Sequence, residues 1–438
     1  MNYSQQTQRF EGWLKGHPWA WIPTAFLAKG VCLVSLTIIS VLAFHRLGMD
    51  NAGVCLHVAL LYLPWLFRPL ASPLVLRVMS LRRWIVLCEL LLALSLIGVA
   101  LCVSVNGKHV GVTLWLLFFS LVGVVHDLAV DIYFRMNAPL PIRRSFGGIT
   151  SVFFRLALLF GQGVLLIIVG NMETFTRDVS GAWRFLFHAM AVFFMLLAVL
   201  NLLLLPKPVA IDGQAKAQRS YRRGWSAPVK AFFSQKGILS ILLFLVFFML
   251  PEALLEKVGM LFLVDAAHTG GLALSPQEFG LVQGTIGVFA LSIGGILGGM
   301  AVHKHGVGRW LWPMALAFTL SNVVYLFLSA YMPSNIWVHS ACLAVKFLGL
   351  GFGSTAYAVC AIAFSRDRSG ELHPDCFAVC SSVTYFLILI ATALSGYLQE
   401  WLGYYRFFWA VLACSLFTWI AVFFVNVDES TGKKDVGH

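Results

Sequence analysis

The chain has 438 residues, of which 59% are apolar and only 11% charged, with a formal net charge of +12. A soluble domain carries about a quarter of its residues as charges, so this composition excludes a globular protein that folds in water and leaves lipid as the solvent. The positive excess does not mark nucleic-acid binding, and no such partner is expected, because the basic residues gather in loops on one side instead of forming a stripe.

The chain begins with a polar stretch, Asn2 to Pro18. The first apolar run, Trp19–Phe44, is longer than the roughly 7–15 residues of a signal-peptide core, so it is expected to stay as a span. Five more spans are expected at Ala52–Val75, Trp84–Val105, Val112–Phe134, Phe146–Val169 and Trp183–Leu205. A second set follows at Gly237–Val264, Phe279–Val302, Trp310–Tyr331, Ile336–Phe364, Cys376–Leu398 and Tyr404–Val425. Each is long enough to cross about 30 Å of hydrocarbon, where backbone groups find partners only within a helix. The expected fold class is an all-α membrane protein with twelve transmembrane helices in two six-helix halves, residues 1–205 and 237–438.

Residues 206–236 form the one sizeable loop, rich in Lys and Arg, and read as a solvated linker that lies on anionic lipid. Arg46, Lys108 and Arg177 are the basic residues left on the opposite side, so the loop, and with it both termini, is expected to face the cytoplasm. An internal echo supports the six-and-six division. Arg77 to Trp84 (RVMSLRRW) aligns without a gap with His303 to Trp310 (HKHGVGRW), half a chain away. Arg184 to Phe187 is echoed by Arg406 to Trp409. Glycines 294, 295, 298 and 299, and glycines 349, 351 and 353, are spaced to let helices approach closely. The nine cysteines lie mostly in apolar runs without paired spacing and read as small buried hydrophobes.

Ionisable groups inside spans are the informative ones, because each costs about 2.5–3.5 kcal/mol or more at mid-membrane. Asp127 and Asp131 lie one turn apart on one face of the fourth span. Asp127 is about 22 Å along its helix, Arg155 about 13 Å along the fifth, and Glu89 about 8 Å along the third, which puts all three in the same half of the membrane. They are expected to form one cluster, with Asp127, Asp131 or Glu89 as proton carrier; a purely structural charge network is the competing reading. Lys29 and Lys346 each lie about 15 Å into their spans, and Arg68 lies deeper. Together with Arg155 they read as a binding site for an anionic solute, or else as partners of Asp127, Glu89 and Glu252. Pro251 is expected to bend the seventh span beside Glu252 and Glu256, which read as an outer gate. There is no HExxH, GxSxG or P-loop, so an enzyme is not expected, and no catalytic residue or metal site is assigned.

Several stretches resemble the AmpG-like muropeptide permeases of the major facilitator superfamily. They are Pro18 to Gly30 (PWAWIPTAFLAKG), Leu61 to Pro73 (LYLPWLFRPLASP), His126 to Asp131 (HDLAVD), Ser151 to Leu156 (SVFFRL) and Gly181 to Arg184 (GAWR). The likeness is clear over the first half and weaker over the second. It implies proton-driven import of N-acetylglucosaminyl-anhydro-N-acetylmuramic acid, with or without peptide, across the bacterial inner membrane. It further implies a protein that works as a monomer and needs no cofactor beyond the coupling proton. It places Asp127, Asp131 and Arg155 at the family's intramembrane charges and Arg68 at a usual basic position. Two departures stand out: Lys29 lies where an acidic residue is usual, and Leu76 where an Asp is usual. Relatives of this group also carry siderophores and acetyl-coenzyme A, and other oligosaccharides, export and a sensor role complete the alternatives.

Overall fold

The computed structural model describes residues 17–104, 109–139, 142, 146–206, 227–235, 237–365, 374–425, 427 and 431–432. Most of the 206–236 linker, the Arg143–Arg144 and Arg366–Arg368 loops and Lys108 lie outside the described residues. Among the described residues the regular elements are all helical. Eleven helices are long and apolar enough to cross a membrane, and the last of them holds Gly403 at φ 71, which breaks it into two spans.

The twelve spans are α1 (Pro18–Arg46), α2 (Asn51–Leu61, Leu63–Leu66 and Arg68–Val78), α3 (Leu81–Cys102), α4 (Val110–Asn137), α5 (Phe146–Thr176) and α6 (Val179–Leu204). Then come α7 (Ile238–Phe247 and Leu250–Val264), α8 (Pro276–His305), α9 (Val307–Tyr331), α10 (Ile336–Phe364), α11 (374–402) and α12 (404–424). The sequence expects each of them within about four residues at either end, except that α5 runs on past the expected Val169 to Thr176. It misses that α2 is broken at Tyr62 and Phe67, each break falling just ahead of Pro64 or Pro69. A proline lacks the amide that would continue the ladder.

The expected bend at Pro251 is present, with α7 interrupted at Phe248–Met249. Pro251 leaves the Phe247 carbonyl without its intrahelical donor. Thr418 of α12 supplies a replacement, its hydroxyl donating to Phe247 O at 3.4 Å and Phe248 O at 3.3 Å. The bend is thereby affordable in lipid, where no water would satisfy the exposed carbonyl.

The glycines expected to permit close packing do so except Gly299, which has nothing within 4 Å of where a Cβ would stand. A Cβ at Gly294 would overlap the Leu348 carbonyl and one at Gly351 the Leu291 carbonyl, so α8 and α10 touch backbone to backbone. Two comparable contacts join the first six helices to the last six. Gly284 of α8 lies against the Gln162 carbonyl of α5, and Gly396 of α11 lies against Asn51, Ala52 and Cys55 of α2. The α5–α8 crossing is made by widened π-helical turns, Leu159–Leu165 and Gly280–Gly287. Gly284→Val is expected to force these turns apart at a strain of about 1–3 kcal/mol and to lower the melting temperature by a few degrees; an unchanged melting curve would show the contact to be loose.

The core divides in a telling way. Toward the α1–α2 turn one apolar cluster spans both sets, joining Val34 and Leu36 to Val258 and Leu261. At the opposite end each set keeps its own core, around Trp21 and Phe134 in one and Phe248 and Phe318 in the other. The two bundles are fused at one end and separated at the other.

Candidate functional site

The separation encloses a cavity of about 830 Å³. Its wall from the first six helices includes Phe26, Lys29, Trp65, Arg68, Asp127, Asp131 and Arg135, and its wall from the last six includes Ile362, Phe377, Ser381 and Tyr385. Residues at the α4–α5 end (Arg135, Gly147) and at the α10–α11 end (Ile362, Phe377) ring its mouth.

A four-charge group stands on the wall. Lys29 Nζ lies 2.8 Å from Asp127 Oδ1 and 2.6 Å from Asp131 Oδ1. Arg68 Nη2 lies 2.7 Å from Asp127 Oδ2 and 2.7 Å from Asp131 Oδ2. The one-turn spacing on α4 turns both carboxylates to the same side, and α1 and α2 each bring one cation to them. Two positive and two negative charges compensate one another in a place where a lone charge would be expensive. Asp127 is the deeper carboxylate, its side chain 4% exposed against 10% for Asp131.

The remaining expected residues are distributed elsewhere. Glu89 is fully buried inside the first bundle, where its Oε1 accepts from Asn201 Nδ2 at 2.6 Å and lies 3.3 Å from His126 Nε2. Arg155 reaches across to α8, donating to the Ser292 carbonyl at 3.2 Å against Gly295, which has no Cβ to obstruct it. The single cluster expected of Asp127, Glu89 and Arg155 is therefore corrected to three separate groups. Depth along a helix places a residue in the membrane but says nothing about which way around the helix it points.

Lys346 is not on the cavity wall. It is held by Glu252 Oε2 at 2.6 Å and Asn322 Oδ1 at 2.5 Å within the last six helices, the pairing that the sequence offers as the alternative. Glu256 pairs with Lys257, whose buried ammonium also donates to the Thr37 carbonyl of α1 at 3.0 Å, so this pair bridges the two bundles.

The closed end carries a network that the sequence reading does not single out. Asp265, just past α7, lies 2.6 Å from His45 Nε2 and accepts from Asn51 Nδ2 at 2.7 Å and from the Tyr404 hydroxyl. Asn51 also donates to Gln399 Oε1 at 3.0 Å, and Glu400 accepts the Ala52 amide at 2.9 Å. Burial pushes the Asp265 carboxyl up, but the bonds from His45, Asn51 and Tyr404 more than offset this and hold it below its ordinary value. No sequence signal marks these residues, because polar groups at the ends of spans are commonplace. A second feature missed is the pair Trp65 and Tyr385, one from each bundle, with ring centroids 5.2 Å apart at the cavity wall.

Residues 24–372 match the Major Facilitator Superfamily. A Haemophilus influenzae protein whose name states no function is 24% identical over 366 residues, 81% of this chain and 80% of that protein. The anhydromuropeptide permease of Escherichia coli K12 is 22% identical over 257 residues, 57% of this chain and 48% of the permease. The structure of a D-xylose-proton symporter superposes with a TM-score of 0.68 at 12% identity, covering 94% of this chain and 98% of that one. The helix order, the cavity between two bundles and the family match agree: the chain belongs to the Major Facilitator Superfamily and is a multi-pass membrane transporter, not an enzyme.

Proposed function

We propose that the protein imports a carboxylate-bearing cell-wall amino sugar, of the anhydro-muropeptide class, across the bacterial inner membrane in company with a proton. The observation that carries this reading is the compensated group of Lys29, Arg68, Asp127 and Asp131 on the cavity wall. Its cations are already engaged by its own carboxylates. An incoming carboxylate gains Lys29 and Arg68 only if an aspartate lets go, and an aspartate left without its cations in this largely buried wall is neutralised by taking a proton. Binding of the anion and binding of the proton thus assist each other. Asp127, as the less exposed carboxylate, is the carrier.

The sugar rings of such a solute suit Trp65 and Tyr385, which present aromatic faces beside the cations. The similarity to the anhydromuropeptide permease supports the cargo class. Residues 1–205 and 237–438 act as two bodies, the cavity mouth faces the cytoplasm, and Asp265 with its partners closes the outer side. Glu89 with His126, Arg155 with Ser292, and Lys346 with Glu252 brace the helices that carry the site, and Glu256–Lys257 joins the bodies near its apex.

One proton moved with one carboxylate carries no net charge. A pH difference of one unit, acid outside, then supports about tenfold accumulation, whereas voltage alone supports none. Uptake of labelled anhydro-muropeptide into proteoliposomes, with and without the pH step, tests the reading. Lys29→Ala and Arg68→Ala are each expected to weaken solute binding about tenfold or more, the scale of one charge-assisted hydrogen bond. Unchanged affinity in both variants, or uptake indifferent to the pH step, sinks it.

A further inference from the structure

On the lipid-facing side of the first bundle, at the mouth end, α3 and α6 leave a groove of about 660 Å³ lined by Ser80, Arg82, Arg83, Val86, Leu90 and Leu202. It shares no residue with the transport cavity. Its lower part is apolar and open, with Leu90 45% and Leu202 52% exposed. Among the described residues its rim is basic and holds no acidic residue. Arg82 donates one guanidinium nitrogen to the Leu202 carbonyl at the end of α6, while its Nε is buried without a partner among the described residues. Arg83 is exposed beside it. Ser80 begins the 22-residue α3 without capping it by its side chain, so the positive end of that helix adds to the two arginines.

We propose that this groove binds one anionic phospholipid, its phosphodiester between Arg82 and Arg83 and an acyl chain laid along Val86, Leu90 and Leu202. Arg83 and Leu90 are about 10 Å apart along α3, enough for a phosphate at the rim and the first part of a chain below it. Free phosphate would make no use of the apolar floor. A zwitterionic lipid would bring its own cation to two guanidiniums that have no carboxylate beside them among the described residues. The surrounding bilayer supplies the ligand in excess, and basic recesses between helices at this level suit acidic headgroups. The bound lipid ties the start of α3 to the end of α6 where the two bundles separate.

Native mass spectrometry of the full chain in detergent, with dioleoyl-phosphatidylglycerol or dioleoyl-phosphatidylcholine, tests the site. Wild type is expected to hold phosphatidylglycerol at least about tenfold more tightly, and the double variant Arg82→Gln/Arg83→Gln to lose most of that preference. Arg309→Gln, at the corresponding turn of the last six helices, should bind as wild type does. Because Arg82→Gln also frees the Leu202 carbonyl, Arg83→Gln alone and Leu90→Trp, which fills the groove and spares both arginines, serve as second variants. Each should weaken phosphatidylglycerol several-fold with an unchanged melting curve. Equal binding of the two lipids, displacement by inorganic phosphate, an equal loss in Arg309→Gln, or wild-type binding by both Arg83→Gln and Leu90→Trp would each overturn the proposal.

Discussion

Asp127→Asn is expected to bring solute accumulation in proteoliposomes from about tenfold per pH unit down to about one, while exchange of internal for external solute continues. The amide keeps the shape of the carboxyl but neither carries the charge nor takes the proton. Lys29 and Arg68 then face Asp131 alone, and the solute carboxylate competes for them without a proton being bound. Removing one partner of a buried pair commonly costs about 3–5 kcal/mol, but Asp131 remains within 2.7 Å of both cations, so the protein should still fold. Size-exclusion elution and the melting curve check folding, and accumulation against exchange checks coupling. Full accumulation by the folded variant would remove Asp127 from the role of carrier.

Asp265→Ala should open the opposite end. The carboxylate is the common acceptor for His45, Asn51 and Tyr404, drawn from both bundles, and hydrogen bonds to a charged group are worth about 1.5–3 kcal/mol each. Asn51 keeps Gln399 and Ala52 keeps Glu400, so closure weakens without being lost. A shift of about 1.4 kcal/mol already changes the open fraction tenfold. Cys55 is a native reporter, buried where α2 meets Gly396 of α11. With Cys55 as the sole cysteine, a membrane-impermeant maleimide added outside should label Asp265→Ala about tenfold faster than the parent.

The pH dependence of the closure has a definite sign. A carboxyl whose acidity is strengthened in the closed state favours closure above its ordinary value of about 3.9 and loses that contribution as pH falls through the lowered value. The ratio of labelling in Asp265→Ala to that in the parent, in which the rise of the Cys55 thiolate with pH cancels, should therefore stay constant between about pH 5 and 8. A steep change of that ratio in the interval, or equal labelling of the two proteins, would show that the latch lies elsewhere.

The sequence was most informative where a single energetic rule governs. A run of apolar residues about 20 long has one low-energy arrangement in lipid, so the spans were legible to within a few residues, including the bend that Pro251 requires. That the intramembrane charges need partners was legible for the same reason. That Asp127 and Asp131 would stand on one face followed from their one-turn spacing on α4, a local property of the helix.

What the sequence could not supply was direction around each helix axis and the choice of neighbours. Glu89 and Arg155 lie at the expected depths, yet one points into the interior of the first bundle and the other across to α8. Lys346 had two available readings, cavity or partner, and only the packing of α7 and α9 against α10 selects Glu252 and Asn322. The network at Asp265 joins residues 45, 51, 265, 399 and 404, none of which is unusual in its own stretch of chain. Composition and periodicity determined the solvent, the helices and the residues too costly to be incidental. Tertiary structure alone decided which of them share a wall, because contacts between helices distant in sequence depend on rotation and register, which no local pattern encodes.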